Sequence, residues 1–119
     1  MGPEAKVETD IVAWATSMGG VALKLKIDGQ RGFPDRTILL PGCIILFVEV
    51  KKPKGGVVSQ QQKDWVRKLS DLGFVVIVAT SVEQVMDAYA VAVESRWQPD
   101  VKTLKQSQDD IKAGRVRYL

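Results

Sequence analysis

Histidine is absent from this sequence, and Cys43 is its only cysteine. Disulfide frameworks, zinc sites with Cys/His ligands, and Ser-His or Cys-His nucleophile pairs are therefore excluded, because each needs a residue that the chain lacks. Any catalysis must rest on carboxylates, lysines and a hard cation.

Long apolar runs are also absent. No stretch approaches the roughly 20 residues that a membrane-spanning helix requires. The N-terminus carries Glu4, Lys6, Glu8 and Asp10 where a signal peptide would have its hydrophobic region. We therefore expect an intracellular, cytoplasmic protein with no membrane partner.

Positive charge is unevenly distributed along the chain. The 119 residues are enough for one domain with its own core, and Lys and Arg exceed Asp and Glu by 17 to 14. Between residues 51 and 68 one acid, Asp64, stands among six basic residues: Lys51, Lys52, Lys54, Lys63, Arg67 and Lys68. Such a cluster suits the phosphate backbone of a nucleic acid.

Hydrophobic periodicity predicts the first half of the fold. Apolar residues recur at helical spacing from about Glu4 to Ser17, and Gly19-Gly20 then ends the helix. Residues 21–28 alternate between apolar and polar, which predicts a strand with one buried face. After a loop over 29–35, residues 37–40 and 43–50 predict a hairpin around a Pro-Gly turn. Its second strand is apolar on both faces, as a central, doubly covered strand would be.

The second half of the chain predicts a helix, a buried strand and another helix. Ser59 is a candidate N-cap for a helix that Gly73 ends. The apolar stripe of that helix consists of Trp65, Val66, Leu69 and Leu72. Residues 74–79 predict a buried strand, and Ser81 with Gln84 predicts a capped helix to about Glu94.

The predicted order is therefore helix, three strands, helix, strand, helix, an α/β fold with a central mixed sheet. After Pro99 the pattern weakens to a basic amphipathic segment over 101–113. We expect residues 1–98 to form the domain, and residues 99–119 to form a C-terminal extension that packs on it or serves as an arm.

The sharpest chemical feature is Glu49-Val50-Lys51 at the end of the apolar strand. Strand periodicity places Glu49 and Lys51 on one face and Val50 on the other. A charge at the end of a doubly covered strand is costly unless it is paired, hydrogen-bonded or bound to a metal. The alternative is a strand that simply reaches the surface, with its lysines solvated.

A second carboxylate belongs to the same hairpin. Pro34 has a fixed φ and delivers Asp35 at the mouth of the hairpin, although Gly-x-Pro-Asp taken alone is usually a turn. Asp35 begins one strand and Glu49 ends its antiparallel partner, so the two become neighbours. A hard cation relieves their repulsion and lowers the pKa of a bound water, and Lys51 stabilises developing charge. Such a site would hydrolyse phosphodiesters.

The linked motifs resemble those of a known nuclease superfamily. Pro34-Asp35, a spacer and Glu49-Val50-Lys51 resemble the PD-(D/E)XK signature, and the element order is similar to that superfamily's restriction-endonuclease-like core. With Gly32 before Pro34, and with Ser59, Gln62 and Trp65 spaced by three, the chain resembles the VRR-NUC family. That family occurs in small phage and bacterial proteins and in larger repair nucleases.

The resemblance implies roles for individual residues. Asp35, Glu49 and the backbone carbonyl of Val50 would be ligands of Mg²⁺ or Mn²⁺, and Lys51 would be the catalytic lysine. Glu8 corresponds to the family's helix-one acid and would be a further catalytic residue and metal ligand. From the residues alone, a solvated first-turn glutamate favoured by the helix dipole explains Glu8 equally well.

Gln62 lies on the buried stripe of the second predicted helix, since Trp65, Val66 and Leu69 follow it by three, four and seven residues. The family resemblance directs its amide at the active site. The alternative is a core-facing glutamine that bonds to nearby backbone. Trp14 and Trp65 are better explained as core residues than as platforms for stacked bases.

The function implied by the resemblance is metal-dependent hydrolysis of DNA. Candidate phosphate contacts are Lys24, Lys26, Arg31, Lys52, Lys54, Lys63 and Arg67. Standalone members of the family resemble Holliday-junction resolvases, so we expect a structure-selective homodimer, because symmetrical cleavage of two strands calls for a two-fold pair of sites. The alternatives are a monomeric flap or nicking nuclease and a catalytically silent DNA-binding module. The intact Asp35, Glu49 and Lys51 argue against the silent module.

Overall fold

The structure is a computed structural model that describes residues 2–95. Its elements follow the predicted order: α1 (Pro3–Ser17), β1 (Val21–Leu23), β2 (Arg36–Leu40), β3 (Ile44–Val50), α2 (Gln60–Asp71), β4 (Val75–Ala79) and α3 (Val82–Ser95). The predicted extension over 99–119 lies outside the described residues. In the described part of the chain, no helix is long and apolar enough to cross a bilayer.

The four strands form one mixed sheet in the order β1-β2-β3-β4. β2 pairs antiparallel with both β1 and β3, and β3 pairs parallel with β4. The α/β class and the central mixed sheet are therefore confirmed. β3 is the longest strand and has a partner on each side, so its backbone is held along its whole length.

β3 is apolar on both faces because both faces are covered. Leu46, Val48 and Val50 join a buried core with residues of α1 and α3. On the opposite face Phe47 contacts the ring of Phe33, with the centroids 5.8 Å apart, and Glu49 lies beneath α2. The predicted central strand is confirmed, and it ends inside the protein rather than at its surface.

β1 is shorter than the alternation of residues 21–28 predicts. It ends at Leu23, and Leu25 is 45% exposed. The last β1–β2 pair joins Leu23 to Thr37, and β2 begins one residue earlier, at Arg36. Before that residue, Pro34 has no backbone N–H with which to extend a ladder. The prediction was wrong beyond Leu23 because the partner strand ends there.

Two further predictions about burial were wrong. β4 begins at Val75 instead of Phe74, and Val78 is 39% exposed, because β4 is an edge strand of the sheet.

The sequence pattern places Leu72 on the apolar stripe of α2, but this residue is 73% exposed. The helix ends at Asp71, so Leu72 takes the cap position and leaves the buried face.

A close backbone approach fixes the loop that leads to Asp35. Gly32 has φ +87°, and a Cβ atom there would lie 2.6 Å from the backbone carbon of Gln61 and 2.7 Å from the amide nitrogen of Gln62. Only glycine fits so close to the first turn of α2. Phe33 then packs on Trp65 with the ring centroids 5.1 Å apart, so the loop is anchored to α2 immediately before Pro34 and Asp35.

This approach predicts a difference between two glycine substitutions. Gly29 also has a positive φ, +74°, but a Cβ atom added there would meet nothing within 4 Å, so Gly29→Ala is a matched control for backbone strain alone. We expect Gly29→Ala to cost about 1–2 kcal/mol, and Gly32→Ala to cost about 1–3 kcal/mol more because of the added clash. Denaturant unfolding midpoints measure both. Equal midpoints for the two variants would contradict the close approach.

Candidate active site

The hairpin register brings Asp35 and Glu49 together. Arg36 pairs with Val48, so one further antiparallel step sets Asp35 opposite Glu49. The backbone N–H of Val50 donates to Asp35 Oδ2 at 2.7 Å. The Asp35 side chain is therefore tied to the end of β3 at the residue after Glu49, as the antiparallel pairing predicted.

The Glu49 carboxyl group is buried, and its two oxygens differ. The residue is 2% exposed. Oε1 accepts a hydrogen bond from the Gln62 amide and lies 3.4 Å from Lys51 Nζ. Oε2 is buried and has no hydrogen-bond partner among the described residues. A buried, unpartnered carboxylate oxygen is costly, and a cation is the kind of ligand that relieves the cost.

Burial also changes the acidity of this group. Removal from water and the neighbouring Asp35 carboxylate raise the pKa of Glu49 from 4.5 to about 7, although the Lys51 ammonium acts in the opposite direction. The carboxyl group therefore exchanges its proton near neutral pH. A divalent cation would compete with that proton for the same oxygen atoms.

Lys51 is held beside Glu49 by its backbone and by a tight loop. Its N–H donates to the Ala79 carbonyl of β4 at 2.9 Å, and its side chain is 16% exposed. Gly56 packs so closely that a Cβ atom there would lie 2.9 Å from Lys51 Cβ. The ammonium is thus a mostly shielded charge next to the carboxylates, unlike the exposed Lys52 that follows it.

Gln62 links the first turn of α2 to Glu49. Ser59 is the N-cap, its hydroxyl accepts from the Gln62 N–H, and Gln62 Oε1 accepts from the Ser59 N–H at 2.9 Å. The remaining amide nitrogen donates to Glu49 Oε1. One end of the amide therefore bonds to nearby backbone, as in the alternative from the sequence, and the other end bonds to the Glu49 carboxylate.

Glu8 lies on the face of the sheet that α1 covers. Its Oε1 accepts from Arg36 Nε at 2.8 Å and lies 3.3 Å from Lys24 Nζ. Within residues 2–95, no group of three or more Asp, Glu, Cys or His side chains is arranged to hold a metal ion. The structure thus brings Asp35, Glu49, Lys51 and Gln62 together, whereas Glu8 is engaged by two cations.

Arg36 was missed by the sequence analysis, although a signal for it exists. Strand periodicity gives Arg36 the same face as Ile38 and Leu40, which are buried in the core beneath α1 and α3. A charged residue in that series needs a partner from a covering helix. Glu8 is the acid of α1 that supplies it.

The seven candidate phosphate contacts are all exposed: Lys24, Lys26, Arg31, Lys52, Lys54, Lys63 and Arg67. They lie on the loop before β2, the loop after β3 and helix α2, which are the three segments that adjoin the Asp35–Glu49 pair. Arg67 is also 3.1 Å from Asp64. Trp14 is a core residue, as predicted, whereas the same prediction was wrong for Trp65, which is half-buried against Phe33 and outside the core.

Asp35 and Glu49 fit a hard divalent cation. Their oxygen atoms are the ligand type that Mg²⁺ and Mn²⁺ prefer, and Glu49 Oε2 is a buried acceptor with no protein partner in the described part of the chain. Mg²⁺ sites commonly use one or two carboxylates and complete the shell with water. The Val50 carbonyl is at the same strand end and is a further candidate ligand.

The raised pKa of Glu49 predicts how stability depends on pH when cations are removed. Between pH 4.5 and about 7 the folded protein keeps a proton on Glu49 that the unfolded chain has lost. The resulting stabilisation is complete below pH 4.5 and is lost as the pH rises through about 7. In chelator, the stability of the wild type should therefore fall relative to that of Glu49→Gln as the pH rises from 4.5 to about 7. Thermal melts test this, with Glu94→Gln on α3 as the exposed control; a constant difference between wild type and Glu49→Gln would contradict it.

Comparison with known proteins identifies relatives of this chain. Residues 9–83 match the family model of the VRR-NUC domain. A protein of the Acyrthosiphon pisum secondary endosymbiont phage 1, named "Putative nuclease p44", is 38% identical over 78 residues, which are 66% of this chain and 83% of that protein.

Solved structures show the same fold. One described as "VRR_NUC domain" superposes with a TM-score of 0.68 at 28% identity and covers 82% of this chain and 100% of its own. Another, "VRR_NUC domain protein", has a TM-score of 0.55 at 19% identity, covers 79% of this chain and 90% of its own, and supports the fold alone.

The family match covers well over half of the chain. It includes Asp35, Glu49, Lys51 and Gln62, and it begins one residue after Glu8. The residues that the structure brings together thus lie inside the matched region. The chain belongs to the VRR-NUC family of the PD-(D/E)XK nuclease superfamily.

Proposed function

We propose that this protein is a Mg²⁺- or Mn²⁺-dependent endonuclease that hydrolyses the phosphodiester bonds of DNA. The observation that carries the proposal is the buried, unpartnered Oε2 of Glu49 opposite Asp35. Membership of the VRR-NUC family supports the nuclease activity. The exposed basic residues on the loop after β3 and on α2, the segments that carry Lys51 and Gln62, support a polyanionic substrate.

Each residue has a distinct role in this proposal. Asp35 and Glu49 would hold the cation, with the Val50 carbonyl as a further ligand, while Gln62 bonds to Glu49 Oε1 and leaves Oε2 available. When bound, the cation would polarise a phosphoryl oxygen and lower the pKa of a water molecule. Lys51 lies 3.4 Å from Glu49 Oε1, where its charge can orient that water or stabilise the transition state.

The preferred substrate in this proposal is branched DNA, cut by a homodimer. One metal site hydrolyses one strand, so symmetrical cleavage of a junction needs two sites related by a two-fold axis. A flap or nicking nuclease that acts as a monomer is the competing substrate class. Sedimentation combined with cleavage of junctions, flaps and nicked duplexes distinguishes them, because a resolvase-like enzyme should be dimeric at the concentrations at which it cuts junctions.

The first test removes the charge of each metal ligand without changing its volume. Asp35→Asn or Glu49→Gln should abolish cleavage in Mg²⁺ or Mn²⁺ while the circular dichroism spectrum stays that of the wild type. Chelator should have the same effect on the wild-type protein. Glu94→Gln is the control for loss of a distant carboxylate. Activity within about tenfold of wild type in either active-site variant would contradict the assignment, since loss of a metal ligand should cost more.

Lys51→Ala should separate catalysis from metal binding. Because Lys51 is assigned an electrostatic role and not a ligand role, the cleavage rate should fall by roughly 100-fold or more while Mn²⁺ still binds. Lys6→Ala is the control, since Lys6 is an exposed lysine of α1 that pairs with Asp10. Titration calorimetry measures Mn²⁺ affinity. A loss of affinity as large as in Asp35→Asn would mean that Lys51 supports the metal rather than the reaction.

Binding of the metal-free protein to DNA should weaken steeply as salt rises, because basic side chains release counterions from phosphates. Lys52→Glu combined with Lys54→Glu should weaken binding equally on unrelated sequences and flatten the plot of log affinity against log salt. Lys6→Glu is the control, because it reverses the charge of an exposed lysine in the same way at a residue of α1. Affinity that does not change with salt, or a strong preference for one linear sequence, would show that these lysines are only a solvated surface.

A further inference from the structure

Arg36 has a fixed guanidinium group at the first residue of β2, directly after Asp35. Its Nε donates to Glu8 Oε1 at 2.8 Å, and its Nη1 donates to the Ala22 carbonyl at 3.2 Å. Glu8 belongs to α1 and Ala22 to β1. One side chain therefore joins α1 and β1 to the beginning of β2.

These contacts occur where the backbone ladder ends. The last β1–β2 pair joins Leu23 to Thr37, and the last β2–β3 pair joins Arg36 to Val48. Asp35 lies beyond both ladders, and Pro34 before it cannot donate a backbone hydrogen bond. The end of a ladder frays unless side chains hold it. Asp35 bonds to the Val50 N–H on the β3 side, and Arg36 is the neighbouring residue whose side chain holds the start of β2 to α1 and β1.

The Arg36–Glu8 ion pair is mostly buried, which makes it a stronger attachment than a surface ion pair. The side chains of Arg36 and Glu8 are 18% and 21% exposed, whereas that of Lys24, the second cation on Glu8, is 62% exposed. Screening by water is weak for the first pair and strong for the second. The planar guanidinium also donates in two fixed directions, which a lysine ammonium at the end of a flexible chain does not reproduce.

We propose that Arg36 is a positioning residue, which holds the start of β2 through Glu8 and Ala22 so that Asp35 stays opposite Glu49. The inference depends on the proposed function only in treating Asp35 as a metal ligand. It assigns a role to a residue that lies on the other face of the sheet from the carboxylate pair.

A role of Arg36 through its charge and a role through its contacts predict opposite changes in Mn²⁺ affinity. Removal of a cation near two carboxylates should tighten Mn²⁺ binding if Arg36 acts only through its charge. Loss of the attachment should weaken Mn²⁺ binding by roughly 10-fold or more if Arg36 positions a ligand. Arg36→Gln therefore distinguishes the two by the sign of the change. Arg36→Lys keeps the charge and should still weaken binding, because it cannot make both contacts.

A metal-free measurement separates this inference from the proposed function. The Val50 N–H donates to Asp35 Oδ2 at 2.7 Å, whereas the next amide, Lys51 N–H, donates to Ala79 at 2.9 Å. Hydrogen exchange followed by NMR in chelator should show the Val50 amide exchanging at least several-fold faster in Arg36→Gln than in the wild type. The Lys51 amide, on the β4 side of the same strand, should keep its rate.

Lys24→Gln is the matched control, since it removes the other cation from the same Glu8 oxygen without touching β2. In the absence of DNA, it should leave the exchange rate of the Val50 amide and the Mn²⁺ affinity unchanged. An unchanged Val50 amide in Arg36→Gln, or equal acceleration of the Val50 and Lys51 amides, would overturn the positioning role. Tighter Mn²⁺ binding in Arg36→Gln would overturn it as well. A wild-type protein that binds no Mn²⁺ would instead contradict the proposed function and leave the exchange result to decide the role of Arg36.

Discussion

The burial of the Glu49 carboxyl group at the end of β3 is the constraint on which the rest of the site depends. A group that is 2% exposed, with one oxygen bonded and the other without a protein partner among the described residues, must be compensated by its surroundings. Gln62 and Lys51 provide this on one side. Burial and the neighbouring Asp35 carboxylate outweigh the Lys51 ammonium and raise the pKa of Glu49 to about 7, so the charged form remains costly in this position. A buried acid of this kind costs stability, and the proposed metal site would account for its presence at the end of β3.

Features set by local periodicity and hairpin register could be predicted from the sequence. The spacing of Ile11 and Trp14 defines α1, and the Pro41-Gly42 turn fixes which residues of β2 and β3 face each other. The meeting of Asp35 with the end of β3 follows directly from that register. Gln62 could be placed because helical spacing puts it on the stripe of Trp65 and Leu69. Each of these inferences needs only one or two neighbouring elements.

Features that depend on a distant partner could not be predicted in the same way. The alternation of residues 21–28 does not reveal that β1 loses its partner after Leu23, and an apolar β4 does not reveal that the strand is at an edge of the sheet. In the sequence Arg36 is one more basic residue, and only the packing of α1 against its face of the sheet makes Glu8 its partner. Tertiary packing sets where strands end, how they are ordered in the sheet and which charges pair across layers. A periodic sequence pattern does not contain this information.

The position of a bound cation is the most direct test of the proposed metal site. Crystals grown with Mn²⁺, with diffraction data collected where manganese scatters anomalously, locate the ion independently of the protein coordinates. We expect one peak within roughly 2 Å of Glu49 Oε2 and of an Asp35 carboxylate oxygen, with water in the remaining positions. A peak that does not contact Glu49 Oε2, in crystals of protein that cleaves DNA with Mn²⁺, would contradict the site.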